Sequence, residues 1–61
     1  MKLQAFYAGT MKPLFDRYIA AGTAHEMAAR LARNNDKEVV LRDEKGNVHG
    51  TYNRQQDRRK R

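Results

Sequence analysis

The residues with the clearest chemistry are five cations at the end of the chain: Arg54, Arg58, Arg59, Lys60 and Arg61. Residues 58–61 are four consecutive cations. Such a run neutralises phosphates and releases their counterions, which gives salt-sensitive affinity without sequence preference. The same composition also serves as a solvated, solubilising tail. The 61-residue chain carries 13 Lys/Arg and 7 Asp/Glu, a net charge of +6. Residues 53–61 hold five cations and one Asp, a net of +4, whereas residues 1–52 hold eight cations and six acids, a net of +2. The expected polyanion contacts are therefore the tail first, with Arg30 and Arg33 behind it.

Other chemistry is thin. His25 and His49 are far apart in sequence, and neither has a Cys, a second His or an acid at ligand spacing, so no metal site is expected. His25 and Glu26 are neighbours, about 100° apart on a helix, and do not face each other. Arg42 and His49 on one strand face are the only arrangement that a small ribonuclease could use, as charge clamp and acid. With no nucleophile-plus-base pair, no Gly-rich phosphate loop and little room for a pocket, the chain is expected not to be an enzyme and to use no cofactor. It has no cysteine, hence no disulfide framework. No apolar run approaches the roughly 20 residues of a membrane span. The N-terminal MKLQAFYAG lacks the long apolar core of a signal peptide, so a cytoplasmic protein is expected.

The elements that must position these residues are read from periodicity. Met11, Leu14, Phe15, Tyr18 and Ile19 follow the i, i+3, i+4, i+7, i+8 spacing of an amphipathic helix over about 11–21. Thr10 suits its N-cap, Pro13 its first turn and Gly22 its C-terminal stop. Thr23-Ala24-His25-Glu26 fits a capping box that opens a second helix over about 24–34. Its apolar stripe is Met27, Ala28 and Leu31, widened by Ala24 and Ala32. Arg30 and Arg33 share a face near its C-terminus, where the helix dipole favours cations.

Residues 38–52 read as a β-hairpin around Asp43-Glu44-Lys45-Gly46-Asn47. Taking Lys45-Gly46 as the central pair opposes Asp43 to Val48, Leu41 to Gly50 and Val39 to Tyr52. A three-residue loop shifts the pairing by one and splits the apolar face, so the first register is preferred. Gly50 leaves a gap on that face, where a helix side chain can approach. Residues 2–8 are a candidate strand, with Leu3, Ala5 and Tyr7 on one face and Gln4, Phe6 and Ala8 on the other.

The stretch LFDRYIAAGTAHEMAARLAR resembles, in part, the helix-turn-helix of bacterial and phage repressors. The turn glycine of that family maps to Gly22, and the apolar positions of its second helix to Ala28 and Leu31. The chain departs from the pattern at Tyr18, where the family has a small residue, and in its shorter turn. The resemblance implies that His25, Glu26, Ala29, Arg30 and Arg33 face a DNA groove, with the hairpin as a wing.

Together these readings give an α+β domain over 1–52, with two helices packed on a C-terminal hairpin in two layers, followed by a disordered basic tail over 53–61. The expected function is binding of nucleic acid, or of a protein in a nucleic-acid machine, through Arg30, Arg33 and the tail. The alternative is an accessory protein of the phage or mobile-element type that docks on a host protein. Its contact patch is Phe6, Tyr7 and Val40, the apolar residues left least covered, together with Arg42. So short a chain buries little surface, which makes a homodimer a further option.

Overall fold

The computed structural model describes residues 1–53. Four strands and one helix follow in the order β1 (Lys2–Tyr7), β2 (Ile19–Ala20), α1 (Ala21–Asn35), β3 (Val39–Asp43) and β4 (Val48–Tyr52). The strands form one antiparallel sheet of order β2-β1-β3-β4. The helix lies across one face. The α+β class is as expected, but among the described residues there is one helix and not two, and the sheet is wider than a C-terminal hairpin.

The candidate N-terminal strand is the centre of the sheet. β1 pairs with β3 along its length, with Ala5 opposite Leu41 and Phe6 opposite Val40. Neither face of β1 is open to solvent: Leu3, Gln4, Ala5 and Phe6 are all buried. Leu3 and Ala5 point toward the helix. They join Val39, Leu41, Phe15 and the helix stripe Ala24, Ala28, Ala32 in the core. Small alanines let the helix backbone come close to the sheet. The largest fully buried side chains are only Leu3, Leu41 and Val39.

The helix expected over 11–21 is replaced by an irregular return of the chain along β1, bent at residues 14–17. Gly9, at φ 84°, sits in a turn closed by the Thr10 N–H on the Tyr7 carbonyl at 3.0 Å. This is the positive φ that the third residue of a type II turn needs. The Thr10 hydroxyl donates to the same carbonyl, so it caps no helix. Beyond the turn, Pro13 bridges to Phe6, the Leu14 N–H donates to the Ala5 carbonyl at 2.8 Å, and Ile19 pairs with Leu3. The open edge of a buried central strand offers long-range backbone partners, whereas an isolated helix of about eleven residues is marginal in water. The apolar stripe is broken accordingly: Phe15 enters the core and Met11 is 75% exposed.

The surviving helix starts earlier than expected, at Ala21. Gly22 therefore lies inside its first turn and not at a helix stop. Ala20 is the N-cap and no side chain caps it, so the Thr23–Glu26 capping box does not form. Instead the Ala21 N–H donates to the Met1 carbonyl at 3.1 Å. The helix ends on Asp36, which takes the left-handed conformation at φ 55°. Without a helix before Gly22, the helix-turn-helix resemblance does not extend to the fold.

The C-terminal hairpin combines both registers. Its loop has three residues, 44–46: the Asp43 N–H donates to the Asn47 carbonyl, and Gly46 at φ 92° accepts the left-handed position. Arg42 then opposes Val48. A bulge at His49 restores the preferred pairing, with Leu41 opposite Gly50 and Val39 opposite Tyr52. Val48 consequently leaves the helix-side face and is 53% exposed.

Candidate nucleic-acid and protein interfaces

Arg30 and Arg33 project from the exposed side of α1, three residues apart, with Arg33 in the last turn. The other expected cation sites, Arg54, Arg58, Arg59, Lys60 and Arg61, lie outside the described residues, and so does the expected disorder of the tail. The place from which the tail departs is well defined. Tyr52 ends β4, and its hydroxyl hydrogen-bonds His25 Nδ1 at 2.7 Å. The two rings meet edge to face, with centroids 5.7 Å apart. Gly50 creates the space: a Cβ there would lie 3.0 Å from His25 Cε1. The gap read from the sequence is therefore filled, by a half-buried histidine that joins the first turns of α1 to the last residues of β4. Arg30 and Arg33 follow His25 by five and eight positions on the same helix, or about 8 and 12 Å along its axis.

The four expected protein-interface residues do not form one patch. Phe6, Val40 and Arg42 share the sheet face away from the helix, because Phe6 opposes Val40 and Arg42 lies two positions along β3. Tyr7 is on the helix side, packed against the core, with Lys37 Nζ 5.2 Å from its ring centroid. Phe6 is only 8% exposed. Arg42 Nη1 donates to the Gly46 carbonyl at 3.0 Å and braces the hairpin loop.

At that loop, Asp43 acts as a hub. Its Oδ1 accepts the N–H groups of Lys45 and Asn47, both at 2.9 Å, and its Oδ2 lies 2.7 Å from His49 Nε2. These bonds, led by the one to His49, hold the Asp43 carboxyl at about 2, below its ordinary 3.8. The pairing of an acid with His49 was not visible in the sequence, because it depends on the bulge. Among the described residues, no group of three His, Cys, Asp or Glu side chains could hold a metal ion.

A shallow groove of mixed polar and apolar lining, about 330 Å³, is formed by Leu14, Phe15, Asp16, Arg17, Ile19 and Met27, and no local pattern in the sequence signals it. Its walls are the return segment and the helix. Gln4 fixes one wall. The Gln4 amide Oε1 accepts the N–H groups of Phe15 (2.9 Å) and Ala5 (3.0 Å), and Nε2 donates to the Phe15 carbonyl at 3.2 Å. A buried side chain thus supplies the ladder bonds that a regular strand would have made.

The chain matches no family model, no curated protein and no solved structure. Among the described residues, no helix is long and apolar enough to cross a membrane.

Proposed function

We propose that this protein is a small, non-enzymatic binder of nucleic acid, or of a nucleic-acid-bound complex, and that its basic tail makes the principal contact. The observation that carries this reading is the division of charge. Residues 53–61 contribute +4 of the net +6, and the folded remainder is close to balanced. A balanced domain with a cationic terminus attracts phosphates locally, by counterion release. Arg30 and Arg33, on the helix that His25 links to the end of β4, would add secondary phosphate contacts.

The test is binding of DNA and RNA oligonucleotides to the full chain and to a chain lacking residues 54–61. The full chain should bind both at low salt with little sequence preference. The shortened chain should keep the circular dichroism of the folded domain and lose most of its affinity. No binding of the full chain at low salt, or equal binding by both chains, would refute the proposal.

A further inference from the structure

Nucleic acids offer a protein two handles, phosphates and the faces of bases. Proteins that hold single strands use both: a cationic groove tracks the backbone while successive bases stack on aromatic side chains. This chain has two Phe, three Tyr and no Trp, and none of them follows Tyr52. The fold covers these rings or sets them apart. Phe6 and Phe15 are each 8% exposed. The Tyr52 ring meets His25 edge to face, with its hydroxyl bonded to Nδ1. Tyr7 packs on the core with Lys37 Nζ over its ring. Tyr7 and Tyr52 stand on either side of Val39, two strand spacings or about 10 Å apart. Tyr18 is half-buried and adjoins Ile19, whose partner Leu3 is at the other end of β1 from Tyr7. The rings therefore form no platform for successive bases, and the cations are left as the only handle.

We infer that the nucleic-acid ligand is a duplex, DNA or RNA, held through its phosphates, and that single strands are held more weakly. This rests on the reading of the protein as a nucleic-acid binder and names the form it takes. The physical reason is charge density. A DNA duplex carries one charge per about 1.7 Å of its axis, against about half that density for one strand, so each cation releases more counterion from the duplex. The slope of log K against log salt is about −0.9 per contact on a duplex and about −0.7 on a single strand. For the five cations of residues 54–61 the slopes are about −4.5 and −3.5. Near 1 M salt counterion release contributes nothing and the two lines converge, so at about 0.1 M the duplex is favoured about ten-fold. A stacking surface would reverse that order, because paired bases present no free faces.

Fluorescence anisotropy of the full chain tests this, with labelled oligonucleotides of about 20 residues over about 0.05–0.5 M salt. The ligands are a mixed-sequence DNA duplex, the matching RNA duplex, and the unstructured single strands oligo-dT and oligo-U. Both duplexes should bind more tightly than either single strand, and the gap should widen as salt falls. Y18A, which removes the ring remote from the other tyrosines, should leave the ratio of duplex to single-strand affinity unchanged. Single strands that bind as tightly as the duplexes, or a selective loss of single-strand binding in Y18A, would overturn the inference and leave the proposed function standing. Absence of binding to all four ligands would overturn both.

Discussion

Gln4 shows how much one side chain can decide. It is polar, almost completely buried and on the central strand, a position that costs stability unless its amide is paired. Its carbonyl oxygen accepts two backbone N–H groups and its amide nitrogen donates to one carbonyl, which together hold Phe15 against β1. Replacing it by leucine keeps the volume but leaves the Phe15 N–H and C=O without partners. The expected cost is about 2–4 kcal/mol, read as a shift in the denaturant midpoint, and the groove wall should loosen in amide exchange. Asp43 plays a comparable part at the hairpin loop, and its effect depends on pH. Its folded value of about 2 lies below the ordinary 3.8, so ionised Asp43 stabilises the fold above about pH 4. That contribution is lost as the pH falls from about 4 toward 2. In melts over this range, native protein should lose stability more steeply than D43N. Parallel curves would show that the hub does not contribute.

At the scale of elements, the helix from Ala21 to Asn35 and the hairpin were legible because their signals are local. Alternating residues gave the faces of β1 as well. The region from Thr10 to Ala20 was not legible, because its apolar spacing fits a helix while its backbone partners lie on β1. Periodicity reports which side chains are apolar, and it is silent on whether Ala5 and Gln4 offer bonds to Leu14 and Phe15. The groove followed from that same segment and was hidden with it. The hairpin loop was half legible: a three-residue turn shifts the register, and one extra residue at His49 shifts it back. The contact of α1 with β4 can be probed at Gly50. Alanine there places a Cβ 3.0 Å from His25 Cε1, a ring held by Tyr52. G50A should cost about 1–3 kcal/mol. In the H25A background the same substitution should cost much less, and a double-mutant cycle measures the difference. Equal costs in both backgrounds would mean that His25 does not set the space at Gly50.

For the whole molecule, the governing feature is the separation of its parts. A sheet with one helix builds a nearly charge-balanced body, and most of the net charge follows the last strand. The body anchors the start of the tail through Tyr52 and presents Arg30 and Arg33 on the attached helix. Binding carried by the tail is read out by the salt dependence of duplex DNA affinity. Residues 54–61 contain five cations, and each phosphate contact contributes about −0.9 to the slope of log K against log salt. Deleting them should make the slope shallower by about 4 and remove most of the affinity at low salt. An unchanged slope with retained affinity would contradict it and move the binding surface to the folded domain.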